Sequence, residues 1–96
     1  MNQEKNITIH IPSYFNEITN GQEKVLVRGN NVKECLDDLI RQFPGMEENL
    51  YDKKKKGKLV NIVEIYVNQK SAYPEELAKT VNDGDEIHII ILFAGG

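Results

Sequence analysis

The chain's last seven residues read IILFAGG, Ile90 to Gly96. A terminal carboxylate has an ordinary pKa of about 3.5, so at neutral pH it is an anion. It is unreactive toward nucleophiles until it is activated as an acyl phosphate or acyl adenylate. Gly95 and Gly96 carry no Cβ and can thread a narrow channel with backbone angles closed to other residues. These types in this place predict a slender arm that delivers the Gly96 carboxylate to another enzyme's nucleotide site. The arm is then the substrate, and the domain behind it a handle. A frayed end with no chemistry is the competing reading.

No other group suggests catalysis. His10 and His88 fall at outward-facing positions with no carboxylate or thiol at metal-ligand spacing, so neither a metal site nor a base–nucleophile pair is expected. Cys35, the one cysteine, rules out an internal disulfide and sits beside an apolar helical stripe, where small buried thiols are common. Gly21, Gly29, Gly45, Gly57 and Gly84 are isolated turn glycines and form no phosphate loop. Lys53–Lys56 reads as a solvated loop. A carrier is therefore expected, not an enzyme, with no cofactor bound.

The bulk numbers bound the rest. A 96-residue chain, 40% apolar and 28% charged, suits one small domain over 1–96 that buries roughly 60–65% of its unfolded surface. A net charge of −3 argues against nucleic acid. No run approaches the roughly 20 apolar residues that span a bilayer, and no signal segment is visible. The expectation is a cytoplasmic protein, monomeric when free.

Hydrophobic period supplies the elements. Ile7, Ile9 and Ile11 alternate with Thr8 and His10, a half-buried strand; SYFNEITNGQE (13–23), with its Asn20-Gly21 turn, reads as a loop, and KVLVRG (24–29) alternates again. Val32, Leu36, Leu39, Ile40 and Phe43 form a helical stripe, with Asn31 as N-cap, Glu34 completing something like a capping box, and Pro44-Gly45 as the stop. LVNIVEIYVNQK (59–70) reads as a third main strand and Ile87 to Ile91 begins the last. Residues 71–86 form a connection with at most one short strand or helical turn. One helix can cover only one layer, so the order predicts an α+β roll: a mixed sheet of four to five strands packed on one main helix, first and last strands central.

The last two strands are apolar on both faces. Ile62, Tyr66, Ile90 and Leu92 then make a patch away from the helix, which on a small domain marks a partner surface. Burial of these four under the 71–82 connection is the alternative.

The run NGQEKVLVRGNNVKECLDDLIRQFPGMEENLYD, with VNIVEIYVNQK, NDGDEIHII and a terminal AGG, resembles the MoaD/ThiS family of ubiquitin-like sulfur carriers over Ile7 to Gly96. The resemblance implies a β-grasp fold and a tail of about residues 93–96. It implies a ThiF/MoeB-like adenylating enzyme that uses Mg-ATP to activate Gly96, after which sulfur replaces AMP and gives a thiocarboxylate. A molybdopterin synthase large subunit, a thiazole synthase or a cysteine synthase would accept the sulfur. Ile62, Tyr66, Ile90 and Leu92 would dock partners, Phe93 and Ala94 would lead the arm into the acceptor, and Gly95 would keep it slim. Phe93 is bulkier than the residue usual there, so the acceptor's channel must be wider. Residues 44–58, largely missing from thiazole-pathway carriers, favour molybdopterin biosynthesis. A modifier conjugated through Gly96, or a carrier for thiamine or cysteine synthesis, are the alternatives.

Overall fold

In the computed structural model, residues 5–92 are described. Strands β1 (Asn6–His10) and β2 (Lys24–Arg28) form an antiparallel pair, followed by helix α1 (Val32–Gln42) and a short helix α2 (Glu47–Leu50). Strand β3 (Val63–Val67) turns into the two-residue β4 (Lys70–Ser71), and β5 (Glu86–Ile91) closes the sheet. The spatial order is β2-β1-β5-β3-β4, with β1 and β5 parallel and every other pair antiparallel. This is the expected β-grasp roll, five-stranded and mixed.

Strict alternation sorts the two faces of the sheet. Ile7, Ile9, Val25, Val27, Val63, Ile65, Ile87 and Ile89 are buried and meet Val32, Cys35, Leu36 and Leu39 of α1. Each such side chain removed from water contributes roughly 1.5–3 kcal/mol. The Asn31 side chain accepts from the Glu34 N–H at 2.8 Å, as a helix N-cap should. Glu34 reaches back one residue further than a capping box requires, to the Asn30 N–H at 2.8 Å. The helix stops because Pro44 has no N–H to continue the ladder. Gly29 admits no Cβ: one would lie 2.8 Å from Cβ of Glu34, so β2 can end directly against the first turn of α1.

The NDGDE stretch is a knot between strands. Asp83 accepts from the Asn6 N–H at 2.8 Å, Gly84 turns with φ +89°, and Asp85 binds both the Asn82 N–H and the Asn68 side-chain amide. Asn68 in turn accepts from the Glu86 N–H at 2.9 Å. The starts of β1 and β5 and the end of β3 are thereby fixed together.

Two expectations need correction. The third strand is shorter than 59–70: Leu59 bridges to Tyr51, the Val60 N–H goes to the Leu50 carbonyl, and a turn over 61–62 precedes β3. The Leu59 and Val60 backbone groups are taken by the end of α2, which pulls them out of the sheet. Residues 13–23 are more than a plain loop. They open on a 3-10 turn at Ser13–Phe15, bury Phe15, and hold Thr19 with its hydroxyl donating to the Gln22 carbonyl at 2.9 Å.

Replacing Leu36 by Ala should cost about 2–5 kcal/mol, a buried leucine leaving a cavity. Asn31→Ala should cost about 1 kcal/mol, the loss of one cap. Urea unfolding of both variants checks this, and equal losses would contradict the assignment of Leu36 to the core and Asn31 to the edge.

Candidate functional site

The side of the sheet away from α1 carries the candidate residues. Pairing of β3 with β5 sets Tyr66 opposite His88 and Glu64 opposite Ile90. Beyond the strands, the Leu92 N–H donates to the Ile62 carbonyl at 2.7 Å, which brings Leu92 beside Ile62 at the end of the sheet. Ile62 is 40% exposed, Ile90 37% and Leu92 48%, so three of the four patch residues are open to solvent. Tyr66 is half-buried and, with Gln69, His88 and Ile90, lines a shallow apolar cavity of about 330 Å³. The 71–82 connection does not cover them. It packs on the helix side, where Thr80 bridges Asn31, the Val32 N–H reaches the Lys79 carbonyl at 2.9 Å, and Val81 is buried.

The patch is divided. Glu64 lies between Ile62 and Tyr66 along the chain and opposite Ile90, so Tyr66 and Ile90 form one apolar centre and Ile62 and Leu92 a second. Phe93, Ala94, Gly95 and Gly96 lie outside the described residues. The last described residue, Leu92, follows directly on β5.

The expectation that the two histidines lack a neighbouring carboxylate is overturned. The parallel register sets His10 directly opposite His88, and their rings stack at 4.0 Å with planes 6° apart. Glu86, two residues before His88 on the same face, holds His10 Nε2 at 2.7 Å and lies 4.0 Å from His88 Nε2. Burial holds the His88 imidazole below its ordinary value, the charge of His10 pushes the same way, and Glu86 opposes both. The signal was in the sequence as two similar tripeptides, Thr8-Ile9-His10 and Glu86-Ile87-His88. Aligning Ile9 with Ile87 in parallel register brings the histidines together, but only once those strands are known to be neighbours.

Cys35 is fully buried under the sheet, and its thiol is pushed up to about 12, first by burial and then by Glu34 and Asp38. Lys53–Lys56 is exposed, as expected of a solvated loop.

A profile of the ThiS family matches residues 9–96. Sulfur carrier proteins named CysO, from Mycobacterium tuberculosis and Mycobacterium bovis, are 35% identical over 92 residues, covering 95% of this chain and 99% of theirs. The crystal structure of Mycobacterium tuberculosis CysO superposes with a TM-score of 0.85 at 32% identity, over 91% of this chain and 99% of that one. The Amycolatopsis orientalis BexX/CysO complex gives 0.84 at 31% identity, over 94% and 99%. A molybdopterin converting factor subunit 1 from Pyrococcus furiosus, described as putative, gives 0.67 at 14% identity over 93% and 99%, a likeness of fold alone.

With its thiolate form so disfavoured, Cys35 should resist a soluble thiol reagent at neutral pH and react only as fast as the chain unfolds. Following the reaction with and without urea checks this; labelling of the native chain at the rate of free cysteine would show that the thiol is accessible.

Proposed function

The chain belongs to the ThiS family, and we propose that it is a sulfur carrier whose Gly96 carboxylate is adenylated, converted to a thiocarboxylate and spent by a cysteine-forming synthase. The observation that carries the proposal is the full-length likeness to sulfur carriers at 35% identity, together with a family match that runs through residue 96. A molybdopterin acceptor, favoured by the sequence because of residues 44–58, has only a fold-level likeness behind it. The relatives named CysO support the cysteine alternative better.

The chemistry is divided between proteins. A ThiF/MoeB-like enzyme holding Mg-ATP takes the Gly96 carboxylate, whose oxygen attacks the α-phosphorus and expels pyrophosphate. A sulfide-level sulfur then attacks the acyl carbon and AMP leaves. The thiocarboxylate sulfur attacks the acceptor's substrate and displaces its leaving group, and water then cleaves the acyl–sulfur bond, which leaves the sulfur on the product and returns the Gly96 carboxylate.

This chain's residues supply the grip. Ile90 and Tyr66 offer an apolar centre to a docking partner, and Ile62 and Leu92 offer a second at the end of the described chain. Burying these apolar side chains at a contact is the interaction that would orient the tail.

Incubating the intact chain with such an activating enzyme, Mg-ATP and a sulfide source should produce the mass gain of one oxygen-to-sulfur exchange at Gly96. Removing Gly95 and Gly96 should abolish it. Presented to a cysteine synthase and to a molybdopterin synthase large subunit, the thiocarboxylate should turn over with the first; turnover with the second alone would overthrow the acceptor assignment, and lysine-linked adducts in place of sulfur would overthrow the carrier.

Leu92→Asp should leave folding within about 0.5 kcal/mol, as for most exposed positions. It should raise the activating enzyme's KM for the chain by on the order of tenfold with kcat little changed, the signature of lost docking. An unchanged KM would remove Leu92 from the contact.

A further inference from the structure

From the register of the two central strands, we infer that His10, Glu86 and His88 form a binding site for a divalent cation of the zinc type. The inference stands whether or not Gly96 carries sulfur, because it rests only on where three side chains are held.

Their ligating atoms all lie within 4.8 Å of one another. A tetrahedral zinc ion with bonds of about 2.0–2.1 Å sets its donors about 3.3 Å apart. The Glu86 oxygen sits 2.7 Å from His10 Nε2 and 4.0 Å from His88 Nε2, one distance shorter than that spacing and one longer. The two rings now stack face to face, so their lone pairs run side by side. A turn of each imidazole about its Cα–Cβ and Cβ–Cγ bonds, with no movement of backbone, would aim them at a common point. The cation would replace the His10–Glu86 hydrogen bond.

The donor set selects the ion. Two imidazoles and one carboxylate suit zinc, cobalt, nickel or copper, whereas magnesium and calcium take sites built of oxygen. The scaffold is as firm as this fold provides: His10 and His88 are direct partners on the two central strands, with Ile9 and Ile87 anchoring the opposite face in the core. The side chains remain 24%, 53% and 34% exposed, which leaves a path for the ion and an open coordination position. Lys24, opposite His10 on β2, is the nearest cation in the register and would weaken binding slightly.

Titration of the untagged chain with zinc ion by calorimetry tests the site. One equivalent should bind, and His88→Ala, His10→Ala and Glu86→Gln should each weaken it on the order of tenfold or more, as loss of a ligand or its support does. All three positions are on the solvent face, so unchanged urea unfolding of the variants should accompany the loss. In the ¹H–¹⁵N spectrum, zinc should shift the ring nitrogens of both histidines together. Absence of saturable binding, binding undiminished in the histidine variants, or shifts confined to other residues would each overturn the assignment.

Discussion

The parallel pairing of β1 with β5 is the constraint from which the remaining structure follows. A parallel neighbour cannot be reached by a tight turn, so the chain between must cross over, and α1 is that crossing. The same pairing places the most apolar strand at the centre of the sheet, where its inner residues Ile87 and Ile89 are sealed beneath the helix. It also decides that His10 and His88 share one position on the outer face. The NDGDE turn protects this pairing. Its two aspartates anchor the start of β1 and the end of β3 through charge-assisted bonds to backbone N–H and side-chain amide groups, so β5 can enter the sheet in only one register.

A central strand with one covered face has no structural need for apolar residues on the other. Here Ile90 and Leu92 are spent outward, within reach of Tyr66 and Ile62 on the neighbouring strand and its lead-in. Between a third and a half of the surface of each stays in water. The docking contact proposed above would cover them. The division of the patch by Glu64 gives that contact a polar marker, because a partner that buries the apolar centres must also satisfy a carboxylate between them.

Local patterns in the sequence disclose most of this fold. Alternation in ITIHI and VLV, the helical stripe from Val32 to Phe43 and the Asn31 cap each depend on residues a few positions apart, and each appears where it reads. Leu59 and Val60 look like strand because their apolar character is real, yet α2 competes for their backbone groups and wins. Phe15 is hidden for the opposite reason: the Tyr14-Phe15 pair stands in an otherwise mostly polar stretch with no period, although Phe15 is fully in the core. In the His10–Glu86–His88 cluster, Glu86 and His88 share a face two positions apart, but His10 belongs to the first strand and joins them only through the register of β1 against β5.

If the Gly96 carboxyl group is activated as proposed, a nucleophile of the chain's own within its reach would compete with the sulfur source. An acyl adenylate is open to thiolates first, and a thioester formed within the chain would trap the tail. The one thiol, Cys35, lies on the inner face of α1 against the sheet, and burial with two flanking carboxylates keeps it protonated. Imidazole nitrogens are the next candidates, and both histidines lie on the face of the sheet away from α1. The hydrogen bond to Glu86 takes only one ring nitrogen of His10, and stacking against His10 leaves the in-plane lone pairs of His88 untouched. A cation shared by the two rings would occupy the lone pairs altogether, so the pairing of β1 and β5 would serve the tail's chemistry by keeping the nitrogen nucleophiles occupied as well as by holding its base in place.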